Sequence, residues 1–109
     1  MLDRDGALKS LRRTKRPVFQ AVMKTLIGSR RNLARVNVEK LSRVAKDGSA
    51  VLVPGKVLGS GKLDKKLFVG ALDFSEEARK KIIASGGEAL TIDEFVSRFS
   101  DKGGILLVR

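Results

Sequence analysis

The chain has 109 residues, 42% of them hydrophobic, and carries 23 Lys and Arg against 12 Asp and Glu, a formal net charge of +11. That length suits one domain with a modest core. The absence of Cys and His excludes zinc sites built on thiolate or imidazole, and Ser-His or Cys-His nucleophile systems with them.

The charge is segregated. Residues 1–66 hold 17 Lys and Arg against five acids, a net of +12, whereas residues 67–109 hold six against seven, a net of −1. A solubility device would be spread over the surface, so a separate basic region implies a polyanionic partner, nucleic acid before any other. The plainer alternative is a solvated basic surface. A membrane is not expected, because no apolar run approaches the roughly 20 residues of a span and no basic amphipathic helix carries Trp or Phe anchors. Nothing behind Met1-Leu2-Asp3-Arg4-Asp5 reads as a signal-peptide core. The lack of cysteine fits a reducing, cytoplasmic setting.

Residues 3–15 read as a first helix with Leu8 and Leu11 inward and Arg12, Arg13, Lys15 and Arg16 crowding its end. Cations favour a helix C-terminus, but this many neighbours repel one another without a counter-charge, and phosphate contact is the sharper reading. Pro17 suits the first turn of a second helix. Its Val18, Phe19, Val22, Met23, Leu26 and Ile27 keep the rhythm of one buried face, and Gly28 ends it. The stretch Ser29 to Val36 has no useful periodicity and reads as a loop. Its Arg30, Arg31 and Arg35 present planar forks that match phosphate bidentately.

Asn37 is placed to cap a short third helix with Val38, Leu41 and Val44 inward, closed by Asp47-Gly48. Ala50 to Val53 predicts a strand buried on both faces, stopped by a turn at Pro54-Gly55. Gly59 and Gly61 follow, with Lys56, Lys62, Lys65 and Lys66 around them. A glycine-shaped, positively charged turn suits a backbone that approaches an anion closely; a plain connection between strands explains the glycines equally well. It is not a Walker loop, since the hydrophobe Leu63 follows Gly61-Lys62 where Ser or Thr is needed. A dinucleotide fingerprint fails because Asp64 stands at the third glycine.

Leu67 to Leu72 predicts a second strand, with Gly70 marking a bulge or a close neighbouring backbone. Ser75 caps a fourth helix whose Glu76 and Glu77 meet its positive end, with Ala78, Ile82 and Ile83 inward and Gly86-Gly87 closing it. Thr91-Ile92-Asp93-Glu94 is a capping box, with Leu90 and Phe95 spaced for a hydrophobic staple. That last helix runs to about Phe99, and Ile105 to Val108 is a closing strand. For catalysis only Asp73, Glu76 and Glu77 come into question. Adjacent carboxylates on a helix point different ways, and a metal-dependent nuclease would gather its acids inside the basic region. No enzyme, cofactor, metal site or homo-oligomer is expected.

The signature Val53-Pro54-Gly55-Lys56-Val57-Leu58-Gly59-Ser60-Gly61 resembles that of the archaeal and eukaryotic large-subunit ribosomal protein family number eighteen, itself related to bacterial large-subunit protein fifteen. Arg30-Arg31 with Val36-Asn37-Val38, the Ala71 to Ser75 junction, Gly86-Gly87-Glu88-Ala89 and the Ile105 to Arg109 end are similar to the family as well. The resemblance implies a small α/β fold of irregular β-β-α superhelical type, with an N-terminal region threaded along ribosomal RNA and neighbouring ribosomal proteins as further partners. It implies Arg30, Arg31, Asn37, Lys56 and Lys62 as RNA contacts, while Arg12, Arg13, Lys15, Arg16, Arg35, Lys65 and Lys66 are candidates from charge. The organisation expected is a basic helical region, 1–36, packed on a compact α/β core, 37–109. The compact chain, without a long glycine-rich arm, points to the archaeal type. A free RNA- or DNA-binding assembly or chromatin factor is the alternative that charge leaves open.

Overall fold

The structure, a computed structural model, describes residues 4–12, 14, 16–28 and 33–109. Among the described residues, five helices and five strands run in the order α1 (Arg4–Arg12), α2 (Pro17–Gly28), β1 (Ala34–Asn37), α3 (Val38–Val44), β2 (Ala50–Leu58), β3 (Phe68–Phe74), α4 (Glu76–Ala84), β4 (Glu88–Thr91), α5 (Ile92–Phe99) and β5 (Leu106–Leu107). The strands form one parallel sheet in the order β1-β2-β3-β4, with β5 also paired to β2. Parallel sheets need cover on both faces, and this one has it. Val51, Val53, Val57, Val69 and Ala71 share one core with Leu41 of α3 and Ala78 and Ile82 of α4. On the other side Leu52, Leu72 and Leu90 share a core with Leu11, Phe19, Val22, Leu26 and Phe95 of α1, α2 and α5. The fold is α/β, three layers deep.

The expected turn at Pro54-Gly55 is absent, because β2 runs straight through it. A proline is tolerated there because neither neighbour needs its missing N–H. On one side of β2, pairing passes from β5 at Val51-Leu52 to β1 from Gly55 onward, and Pro54 sits in the gap. On the other side, the register with β3 shifts between Val53 and Lys56. Gly55 serves close strand approach rather than a turn: a Cβ there would lie 1.9 Å from the Ala34 carbonyl oxygen.

Other local expectations shift too. The first helix is shorter than 3–15, ending at Arg12, with Thr14 buried and non-helical behind it. The expected loop up to Val36 holds β1 instead, and β4 is a further strand that periodicity did not mark. Both are four residues long, too short to show an alternation. Ile27, Val44 and Ile83, expected inward, are 57%, 50% and 58% exposed. Each adjoins a buried neighbour, Leu26, Ala45 or Ile82, and so falls off the buried stripe of its helix. Gly70 marks neither a bulge nor a neighbouring backbone; a Cβ there would lie 2.6 Å from Cγ of Phe95. The Thr91 capping box forms in full, Glu94 N–H donating to Thr91 Oγ1 and Thr91 N–H to Glu94 Oε1.

Candidate nucleic-acid interface

Because the sheet is parallel, β1, β3 and β4 each deliver the chain directly into a helix at the same edge. Two basic-region residues meet a carboxylate there. Arg35 stands in register with Lys56, and Lys56 with Asp73, so that two cations and one carboxylate form a row across β1, β2 and β3. Lys56 Nζ lies 3.7 Å from Asp73 Oδ2, while Arg35 is exposed. Like charges directly opposite on neighbouring strands repel. A single carboxylate answers two of them, and an external phosphate would answer the second. Sequence separation hid this pairing, which only the β1–β2 register creates.

The glycine-lysine stretch is a strap, residues 59–67, carrying the chain back from the end of β2 to the start of β3 over α3 and α4. Its backbone is engaged with protein. Lys81 Nζ donates to the carbonyls of Gly59 and Gly61 at 2.6 Å each, the Ser60 N–H donates to Asn37 Oδ1 at 3.3 Å, and the Ser85 hydroxyl donates to the Leu63 carbonyl at 2.9 Å. Cβ atoms at Gly59 and Gly61 would collide with Glu77 and Glu39. The glycines therefore admit close protein contact, and the strap is a connection rather than an anion cradle. Asn37 occupies the N-cap position of α3 but makes no side-chain cap bond, its carbonyl being taken by Ser60.

The candidate cations divide by what they touch. Arg16 Nη1 donates to the carbonyls of Phe99 and Ser100, at 3.1 Å each, and to that of Lys102, and its guanidinium lies 5.5 Å from the centre of the Phe19 ring. Lys65 Nζ donates to the carbonyls of Ser42 and Ala45. These two satisfy the last carbonyls of α5 and α3, groups with no partner inside the helix. Arg12, Arg35, Lys62 and Lys66 are exposed, Lys66 Nζ lying 5.6 Å from the Phe68 ring centre. Arg13, Lys15, Arg30 and Arg31 lie outside the described residues.

The electrostatics sharpen the charge segregation. The ion pairs Lys80–Glu76, Lys81–Glu77 and Arg98–Glu88 lie in the C-terminal part, while Lys56–Asp73 draws on a cation of residues 1–66. Arg43 and Lys46, exposed on and just beyond α3, extend the basic surface and were not singled out in sequence. The signal was there: with Leu41 and Ala45 inward, helical spacing puts Arg43 outward. Glu76 and Glu77 pair with Lys80 and Lys81, and among the described residues no group of three or more acidic side chains could hold a metal ion. No described helix is long and apolar enough to cross a membrane.

The family described as ribosomal protein 60S L18 and 50S L18e matches residues 9–109. The chain belongs to this family. A "Large ribosomal subunit protein eL18" of Pyrobaculum aerophilum is 41% identical over 100 residues, 92% of this chain and 82% of that one. One of the same name from Archaeoglobus fulgidus is 39% identical over 104 residues, 95% and 89% of the two chains. Another, from Methanothermobacter thermautotrophicus, reaches 47% over 79 residues, 72% of this chain and 65% of that one. As an L18/L18e family member of the archaeal type, the chain is a ribosomal protein with a structural rather than an enzymatic role.

Proposed function

We propose that this ribosomal protein is built into the large subunit by binding its ribosomal RNA, with the basic surface of residues 1–66 neutralising phosphates from more than one RNA segment. The observation that carries this is the Arg35–Lys56–Asp73 row, a cation pair left one negative charge short at the strand-end edge of the sheet. Arg12, Lys62 and Lys66 extend the exposed surface, and Arg13, Lys15, Arg30 and Arg31 are further RNA contacts proposed from the sequence. Asn37 contributes through its backbone position beside the row, while Arg16 and Lys65 hold helix ends. The near-neutral part, 67–109, supplies the packed platform, and basic region 1–36 and core 37–109 act as one folding unit. Neighbouring ribosomal proteins are the other partners, and the place of action is the cytoplasmic ribosome.

The test is sedimentation of a lysate on a sucrose gradient, following the protein through subunit dissociation and a high-salt wash. Stoichiometric tracking with the large subunit through the wash is expected. Release at modest salt, or residence near the top of the gradient, would overturn the proposal in favour of a loosely bound RNA- or DNA-binding factor.

A further inference from the structure

β3 and β4 are neighbours in the sheet, yet they send the chain to opposite faces. β3 leads into α4, whose Ala78 and Ile82 pack on the face that α3 shares, and α4 returns directly to β4. β4 leads into α5, whose Ile92 and Phe95 pack on the other face, and α5 returns across the sheet to β5 beside β2. Where adjacent parallel strands diverge in this way a crevice opens beyond their carboxyl ends, and open α/β sheets take their ligands there. Here it is a cleft of about 100 Å³, with Asp73, Phe74, Arg79, Thr91 and Glu94 among its walls.

The walls are mixed in charge. The Arg79 guanidinium lies 5.4 Å from the centre of the Phe74 ring, within cation–π range. Among the described residues its side chain makes no hydrogen bond and no ion pair, so its donors are unused. Asp73 Oδ1 accepts from the Phe74 N–H at 2.9 Å, and its Oδ2 stands 3.7 Å from Lys56 Nζ. Glu94 Oε1 accepts from the main-chain N–H of Thr91 at 3.0 Å. A carboxylate has about four acceptor sites, so each retains capacity. An anion entering the cleft would meet two carboxylates, and a cation would meet Arg79. A neutral group that both donates and accepts suits these walls.

We propose that the cleft takes the edge of one unpaired guanine of RNA, whose N1–H and N2 amino group donate to Glu94 while its O6 and N7 accept from Arg79. RNA sequence is read on unpaired bases through such edges. Guanine offers two adjacent donors to a carboxylate and two adjacent acceptors to a guanidinium. The cleft also adjoins the Arg35–Lys56–Asp73 row through Asp73. A phosphate held at Lys56 is therefore about one strand spacing, roughly 4.8 Å, from the residue that begins the cleft. A side-chain amide of a neighbouring protein is neutral as well, but it brings no phosphate to the row. The inference rests on the RNA-binding reading of that row and adds base selection to it.

The test is a titration of the protein with single-stranded oligouridylates carrying one central guanosine, adenosine or cytidine, read by fluorescence anisotropy and by backbone amide resonances. The guanosine probe should bind about fivefold more tightly or better, the lower end for one bidentate base contact, and should move the amides of Asp73, Arg79 and Glu94. Inosine, which lacks the N2 amino group, and 7-deazaguanosine, which lacks N7, should each lose most of that preference with the protein unaltered. Arg79→Gln and Glu94→Gln should bring the guanosine probe down to the adenosine level, and glutamine is compatible with the capping box. Equal affinity for the guanosine and adenosine probes overturns the inference and leaves the RNA-binding reading standing. So does binding of large-subunit RNA with no binding of any probe, or a guanosine preference that 7-deazaguanosine and Arg79→Gln leave unmoved. If neither the probes nor large-subunit RNA bind, both fall.

Discussion

The backbone of Ala34 lies so close to Gly55 that a methyl group on Gly55 would sit 1.9 Å from the Ala34 carbonyl oxygen. This contact seats the edge strand β1 on β2 and so brings Arg35 beside Lys56. Gly55→Ala must push β1 outward, and because the obstacle is backbone rather than a flexible side-chain tip, relief is expensive. Overpacking of this kind typically destabilises by about 1–3 kcal/mol, occasionally more. A loss of at least that size is expected in urea unfolding, with an unchanged midpoint arguing that β1 is free to shift.

Arg16 separates a structural cation from a binding one. It donates to three carbonyls at the end of α5 and lies over Phe19, tying the start of α2 to the far end of the chain. Arg16→Ala should lower stability by roughly 1.5–3 kcal/mol, the range for hydrogen bonds to a charged group. It should leave the salt dependence of RNA binding unaltered. A reduced salt slope at unchanged stability would reverse this assignment.

Arg35 and Lys56 should behave the opposite way. Arg35→Ala removes a like-charge neighbour from Lys56, so stability should hold or rise slightly. Each neutralised phosphate contributes about one unit to the slope of log affinity against log salt. Replacing Arg35 should lower the slope by about one unit, and replacing Arg30, Arg31 and Arg35 together by one per lost contact. Filter binding to large-subunit RNA across a salt series measures this, and an unchanged slope takes the segment out of the interface.

Thr91 and Glu94 cap α5 reciprocally. Thr91→Ala should destabilise by about 1 kcal/mol, as for other N-cap replacements. RNA affinity should be unaffected, which thermal unfolding and a binding assay on the same sample will check.

Lys81 holds the strap through the Gly59 and Gly61 carbonyls and pairs with Glu77 at 3.1 Å. Lys81→Met keeps the aliphatic stem and removes the three donors. Hydrogen exchange should rise across residues 59–63 and stay slow in β2 and β3. If exchange does not rise, the glycine packing alone fixes the strap.

Local chemistry was written in the sequence. The Thr91 box, the Ser75 cap and the Pro17–Gly28 helix depend on residues within a turn of one another, so their signals survive without tertiary context. The absence of Cys and His and the segregation of charge are equally properties of composition. What Pro54-Gly55 does was not legible, because the dipeptide's local preference is for a turn and only long-range pairing overrides it. The gap between β5 and β1 and the shifted β3 register let it continue as strand. Likewise, Arg16 and Lys65 differ from Arg35 only in what the fold sets against them: free helix carbonyls in one case, a like charge in the other. A side chain's charge is fixed by its residue type, but whether that charge is spent inside the molecule or offered outward depends on long-range partners, and those exist only once the strands have paired.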